Sequence, residues 1–518
     1  MKLSCCIPWR YVVAGMWFIA FILHDSFRGS LSITIVCMVN HDPVINITTA
    51  SYDINSSNVP TTRGGLLSVN LTDPKEETED TCYSRVGSRT SDILSGGFEW
   101  SKQVQGLLLG AVFWGYMAFQ FPSGWLAERF GAHRVILIFL LSASVTSICT
   151  PIAAHAHPYV LLAVRCVTGL SIAVLYPALP VFWARWAPAA EWNRMLGISL
   201  SGGLMGNALI FPIGGFMCKY GPGGGWPSLY YFLGGAGFLW CAVWGLTVRD
   251  TPRATPLITN KERDYIELNI KLRNLTIRKP PTPWKAMMTS RATLALIATH
   301  TFINYGIYML MTQLPTYMEE VMMFDIKSNG LYSMLPYLVF WGVVVLTSGL
   351  SDCLVSRKLL SVGATRKFLN TLGCMLPAVS MLVLAMTNCL PLPVAITMLC
   401  GAVGLVGFAF GGYLVNYADI ALQFSGTLSG LGNCISSIAG IIAPYIVSSI
   451  TVNGTRQEWQ YAFFTGFGSF SLAALIFLFF GSGDIQPWAR HESITKEIRT
   501  VSDTTLPDKD EDTEQSCA

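Results

Sequence analysis

The sequence predicts an all-α membrane protein, with twelve transmembrane helices in two six-helix halves. Three observations lead there. First, 52% of the 518 residues are hydrophobic and only 13% are charged, where a soluble chain would carry about a quarter charged. Second, the charges cluster between apolar runs of roughly 20 residues, the length a helix needs to cross ~30 Å of hydrocarbon. Third, a short charged turn after the second run returns in weaker form after the eighth.

In chain order the runs centre near Ile19, Val112, Phe139, Val174, Leu204 and Leu239, then near Tyr305, Val339, Leu382, Leu405, Ile441 and Ala474. The first is too long for the apolar region of a signal peptide and is read as retained. The expected organisation is an N-terminal segment 1–10, a six-helix half 11–248 carrying an outer loop 39–100, a central loop 249–290, a second half 291–482 and a disordered polar tail 483–518.

Basic residues set the orientation. Lys2 and Arg10, then Arg129 and Arg134, the run from Arg249 to Lys279, and Arg357, Lys358, Arg366 and Lys367 all fall on one face, taken as cytosolic. The outer loop carries the acidic stretch "TDPKEETED" and faces the lumen or the exterior, so both termini are cytosolic. Candidate glycosylation sequons at Asn46, Asn55 and Asn70 lie on that loop, and Asn453 lies between spans 11 and 12. Asn274 matches the pattern but sits in the central loop and is expected to stay unmodified. The 14 cysteines contain no CxxC framework and read as apolar packing rather than metal or redox chemistry. Cys82 and Cys389 are candidates for one bridge. Cys5 and Cys6 are either acylated or free thiols.

The repeated turn reads "GWLAERFGAHR" from Gly124 and "SGLSDCLVSRK" from Ser348, with Asp352 in the place of Glu128. A parallel repeat of six-helix halves is a transporter architecture, with substrate held near the midplane between the halves. Gly124 lets two helices approach closely. Glu128, Arg129, Arg134 and Asp352 form a candidate conformational latch. An exposed pair there is worth ~1 kcal/mol or less, weak enough to break during a cycle.

These residues resemble the major facilitator superfamily. Its hallmark turn, Gly-x-Leu-Ala-Asp-Arg-x-Gly, appears as Gly124, Leu126, Ala127, Glu128, Arg129 and Gly131. The chain is similar, more closely, to the organic-anion transporters that include sialin, the vesicular glutamate transporters and the type I sodium/phosphate cotransporters. "SFRGSLSITIVCMVN", "FWGYMAFQFPSGWLAERFGAHR", "WARWAPAAE", "LPTYMEEV", "NYADIA", "RQEWQYAF" and "QPWA" carry that likeness, in order, along nearly the whole chain.

Ionisable residues inside a membrane cost ~2.5–3.5 kcal/mol at a helix centre and point to function. Span 1 holds His24, Asp25 and Arg28; span 4 holds Arg165; span 7 holds His300; span 10 ends with Asp419. A guanidinium stays charged, so Arg28 needs a partner. That partner is either Asp25, three residues back on the same face, or a substrate carboxylate or phosphate bound bidentately. The resemblance implies that an arginine at this place binds the substrate anion, and that Arg165 takes part in anion handling and gating. From the residues alone, Arg165 either lines the cavity or anchors the helix at the outer face. Asn304, Tyr305 and Tyr308 form a polar ridge in span 7, and Asn416 joins the candidate substrate-binding set. His24, Asp25, His300 and Asp419 are coupling candidates; for Asp419 a helix-end cap is the other reading. Gly202, Gly203 and Gly206 in span 5, and Gly426, Gly430 and Gly432 in span 11, are expected to allow close, sliding helix contact.

The chain departs from the resembled pattern where coupling should sit. The resemblance implies a proton-carrying glutamate in span 4, and Ile172 stands there. Pro180 replaces a histidine after the Tyr-Pro-Ala step, and Tyr417 replaces another in span 10. Leu109 and Ile303 stand where the glutamate transporters place a histidine and an arginine. The expectation is therefore a secondary transporter for a small organic anion, such as an acidic sugar or amino acid, or for phosphate, with proton coupling altered or lost. A channel-like anion conductance and a non-transporting anion sensor are the alternatives. No enzyme motif, metal site, cofactor or nucleic-acid partner is expected. A coupling ion (H+ or Na+), surrounding lipid and a monomeric state in a plasma or vesicular membrane complete the reading.

Overall fold

The computed structural model describes residues 8–39, 97–188, 191–222, 225–276, 282–421 and 424–490. Among the described residues, twelve helices are long and apolar enough to cross a membrane. The first half comprises α1 (Trp9–Met38), α2 (Lys102–Phe130), α3 (Ala132–Ala156), α4 (Pro158–Trp186), α5 (Arg194–Tyr220) and α6 (Pro227–Thr247). The second comprises α7 (Arg291–Glu320), α8 (Ile326–Ser356), α9 (Val362–Met386), α10 (Leu392–Ala421), α11 (Ser425–Ile450) and α12 (Arg456–Phe480). Each contains the centre read from the sequence. Asn46, Asn55, Asn70, Cys5, Cys6 and Cys82 lie outside the described residues. Cys389 is disulfide-bonded. Asn453 is exposed, and its Nδ2 donates to Glu458 Oε1 at 2.7 Å.

Side-chain oxygens of Ser101, Asp325, Ser361 and Thr455 accept first-turn amides and start α2, α8, α9 and α12. Thr455 and Glu458 form a reciprocal capping box. The fourth helix of each half is interrupted. α4 breaks at Ala173 and Val174, where Pro177 lacks the amide that would bond the Ala173 carbonyl. α10 passes through a π-helical turn, Phe410–Leu414.

Within the first half α1 lies tight against α5. A Cβ on Gly202 would fall 2.0 Å from the Phe18 carbonyl, and one on Gly206 2.6 Å from that of Ile22. A disulfide joins Cys37 to Cys218 at the far ends of these helices. That pair corrects the reading of the intramembrane cysteines as packing alone: two helix ends meet that no sequence spacing relates. At the other end Arg10 pairs with Glu191 (2.7 Å) and Glu262 (3.0 Å). Glu262 belongs to a helix of the central loop, Asn260–Thr276, which is thereby held against the start of α1.

The face that carries the α2–α3 and α8–α9 turns is the basic face. On the opposite face the halves close on each other. A Cβ on Gly106 of α2 would meet the Ser448 side chain of α11 at 2.7 Å, and one on Gly330 of α8 would fall 2.5 Å from the Phe211 carbonyl of α5. Lys102 of α2 forms an ion pair with Glu320 of α7, whose other oxygen accepts from Trp459 Nε1 at 3.0 Å. Among the described residues, hydrogen bonds between the halves end near mid-membrane. The last are Asn433 Nδ2 to Tyr116 OH (3.4 Å) and Cys434 Sγ to the Met117 carbonyl (3.5 Å). Toward the basic face, a Cβ on Gly426 or Gly430 of α11 would meet nothing within 4 Å. The expected helix contact at these two glycines is therefore absent in this conformation. Gly432 does permit a close approach, to the Tyr417 hydroxyl.

The latch also differs from expectation. Gly124 does bring α2 close to α4, with a Cβ position 3.4 Å from that of Pro177. Glu128, Arg134 and Asp352, however, are exposed and form no ion pair among the described residues, and Arg129 lies over the rings of Trp125 and Phe130. The α2–α3 turn is held instead by Asp250, which accepts from the His133 amide at 2.9 Å and stands 3.7 Å from Arg185. Gly131 there has φ +91° and leaves no room for a side chain beside the Asp250 carboxylate. In the second half Arg366 makes the corresponding tie. It donates through Nε to Asp419 (2.6 Å) and through Nη1 to Ser351 (2.6 Å) and the Gly411 carbonyl (3.2 Å). Residues 483–490, part of the expected disordered tail, pack back onto this half with Ser482 before them: Asn416 donates to the Ser482 carbonyl (2.8 Å), and the Gln486 amide to that of Ile420 (3.0 Å).

Two expectations follow. Lys102→Met should open the closed face by about 1 kcal/mol or more, raising labelling of a Ser448→Cys variant by an impermeant maleimide roughly fivefold; an unchanged labelling rate would exclude this pair as a gate. Arg366→Ala should lower stability by about 3 kcal/mol, because it strands Asp419 and the Gly411 carbonyl. The thermal midpoint in detergent checks it, and a cycle with Asp419→Ala that proves additive would show the two do not act together.

Candidate substrate-binding site

The charged group of α1 lies at the centre of the molecule. Phe18 and Ile22 rest on the glycines of α5, so the next turns place His24, Asp25 and Arg28 between the two halves. Gly203 leaves the space that the Asp25 carboxylate fills; a Cβ there would fall 2.5 Å from Oδ2. Asp25 Oδ1 accepts from Arg28 Nη2, and Oδ2 stands 3.4 Å from His24 Nδ1. His24 is wholly buried and neither ring nitrogen makes a hydrogen bond. Arg28 Nε is likewise buried without a partner.

Aromatic side chains from both halves enclose Arg28. Its Cζ is 6.0 Å from the Phe113 ring and 5.6 Å from that of Tyr308, and those two rings touch across the divide at 4.6 Å. Tyr116 and Tyr176 flank His24 at 6.0 and 5.3 Å. Tyr337 stacks on Phe211 at 5.2 Å and turns a buried, unbonded hydroxyl into the same region, where the Oδ1 of Asn207 is also unbonded. The electron-rich ring faces stabilise the cation without cancelling its charge. Unmet donors and acceptors around a buried cation suit a polar anionic guest.

Arg165 is a candidate for anion handling and gating, read as lining the cavity or anchoring the helix at the outer face. It is 2% exposed, and its terminal nitrogens go to α1: Nη1 to the Phe27 carbonyl (3.0 Å) and Ser30 Oγ (3.3 Å), Nη2 to the Arg28 carbonyl (3.0 Å). In this conformation it positions the Arg28 backbone and adds a buried positive charge one helix away. The polar ridge of α7 divides. Tyr308 faces Arg28, Asn304 donates to Ser436 Oγ at 2.9 Å, and Tyr305 turns away to Thr465 at 3.0 Å. His300 meets the Tyr417 hydroxyl at 3.0 Å. Asn416 and Asp419 serve the contacts already described at the basic end of α10, so neither reaches Arg28. Ile172 and Ile303 are wholly buried and Leu109 nearly so, while Pro180 is exposed.

Phe113, Tyr116, Tyr176, Asn207 and Tyr337 were not anticipated from the sequence. Aromatic residues abound in membrane helices, and only the fold shows which ones converge. Among the described residues no three His, Cys, Asp or Glu side chains gather to hold a metal ion.

The Major Facilitator Superfamily matches residues 17–444. The chain is 32% identical to human vesicular glutamate transporter 2, over 95% of this chain and 77% of that protein. It is 31% identical to a putative inorganic phosphate cotransporter of Drosophila melanogaster (94% and 87%) and 30% identical to sheep sialin (94% and 91%). The fold is similar to the inward-open xylose transporter XylE of E. coli, with a TM-score of 0.65 at 12% identity over 94% of this chain and 99% of that one. A bacterial homolog of the lysosomal transporter Spinster, in an inward-facing state, gives the same score at 14% identity over 93% and 100%. Twelve spans in two halves, a buried charged centre between them and these likenesses agree: the chain is a multi-pass membrane transporter, not an enzyme, and belongs to the Major Facilitator Superfamily.

Proposed function

We propose that this transporter moves a small organic anion (an acidic sugar or amino acid) or phosphate by alternating access, with Arg28 as the anion's anchor. The observation that carries the reading is Arg28 itself: a permanent cation at the junction of the two halves, walled by rings from both, with part of its hydrogen-bonding edge unmet. The names of the relatives support an anionic substrate. A centre of positive charge draws anions into a cavity of low dielectric. Arg165 is the positioning group behind it. In this reading the basic face is cytosolic, and the conformation, closed on the opposite face and parted toward the basic one, is the inward-facing state. Coupling does not use the span 4 carboxylate of the resembled pattern, since Ile172 carries no proton.

Tracer counterflow in proteoliposomes, offered glutamate, aspartate, sialic acid, urate and phosphate in turn, tests the function. Arg28→Lys keeps the charge and loses the planar fork. It should lower uptake of the transported anion roughly a hundredfold, as about 3 kcal/mol of charged hydrogen bonding implies, while the protein stays monodisperse. Counterflow at the parent rate in that variant would remove Arg28 from the site.

A further inference from the structure

The Arg28 fork is already half occupied. Nη2 and Nε share the side edge of the guanidinium, the edge that takes a carboxylate or phosphate in two parallel hydrogen bonds. Asp25 Oδ1 holds Nη2, and Nε has no partner. An anion that binds this edge bidentately must take Nη2 from Asp25. Asp25 then stands 1% exposed with no cation beside it. The groups facing it are His24 on α1, Tyr116 on α2, Tyr176 on α4, Gly203 and Asn207 on α5, and Tyr308 on α7. None carries a permanent positive charge, and Arg165 keeps its terminal nitrogens on the α1 backbone. A buried carboxylate without a counter-ion is strongly unfavourable, and one proton removes the charge.

We propose that Asp25 is the resident counter-ion of the empty carrier, that the substrate anion displaces it from Arg28, and that the displaced carboxylate takes up one proton which Asp25 and His24 share. This rests on the reading of Arg28 as the anion anchor. The charges balance. In the empty state Arg28 and Asp25 sum to zero with His24 neutral. In the loaded state Arg28 pairs with a monovalent anion, and the proton from water at the open face neutralises Asp25. If the proton passes from Asp25 Oδ2 to His24 Nδ1, an Asp25–His24 ion pair forms and the sum is again zero. On the other face the anion leaves, Arg28 recaptures Asp25, and the proton returns to water. Anion and proton thus load and unload together, and the central cluster crosses the membrane with the same charge whether loaded or empty. His24 stands beside Asp25 with both ring nitrogens free of hydrogen bonds, which suits a second resting place for that proton.

The test uses the full chain in proteoliposomes with the membrane potential clamped at zero. Sialic acid, glutamate and urate serve as probes, each a monoanion near neutral pH. The parent protein should accumulate its anion about tenfold per unit of pH gradient, and trapped pyranine should report one proton entering per anion. Asp25→Asn leaves Arg28 unpaired in the empty carrier. Its half-saturation should fall several-fold, exchange should persist with no response to the pH gradient, and net uptake should drop, because the empty carrier now carries a bare charge. Asp25→Ser repeats the test should the amide variant aggregate. Proton entry absent in the parent, or acid-driven accumulation that survives both variants, overturns the inference and leaves the anchor standing. Counterflow of no probe in the parent overturns the anchor reading and the inference with it.

Discussion

A guanidinium cannot shed its proton to escape a dry environment, and the centre of this molecule is arranged around that fact. Arg28 lies where two bundles meet, so each bundle contributes to keeping a charge there. Asp25 supplies the opposite sign from the same helix. Phe113 and Tyr308 present ring faces from opposite halves. Arg165 adds no counter-charge; it holds the carbonyls of Phe27 and Arg28, and so fixes the direction in which the Arg28 side chain leaves α1. The glycines of α5 are part of the same arrangement, because only a helix without side chains at Gly202 and Gly206 lets α1 come close enough to be held.

The two faces of the molecule obey different physics. On the closed face, small residues bring backbones of opposite halves into direct contact, and one partly buried ion pair joins α2 to α7. Near the basic face the ties run within each half instead. Asp250 holds the α2–α3 turn, and Arg366 holds α8, α9 and α10 together. Each half is thereby stiff at the end where the halves part, which suits rigid-body rocking about the contacts near Tyr116 and Tyr308.

Much of this was legible in the sequence. Twelve apolar runs of spanning length give twelve helices, and the repeated turn marks the two halves. An arginine in the middle of an apolar helix marks the candidate site, and its three-residue spacing from Asp25 allows the pairing that the structure shows. What the sequence could not convey was which partners meet across helices. Arg366 reads as a loop cation and Asp419 as a coupling candidate or a helix-end cap until α9 and α10 are packed together. Glu128 and Asp352 carry the look of a latch, yet a latch closes in one state of the cycle, and this conformation leaves them exposed. Gly426 and Gly430 face open space for the same reason. A pattern along one chain records every state in which its residues are used, whereas a single structure displays one.

The Cys37–Cys218 bond bears on how the protein is made. Such bonds form and persist where thiols are oxidised and are rare where glutathione keeps them reduced. The two sulfurs belong to segments 181 residues apart, so the link closes only once α5 has docked on α1. The bond thus records that α1 and α5 have docked, at the face opposite the basic turns.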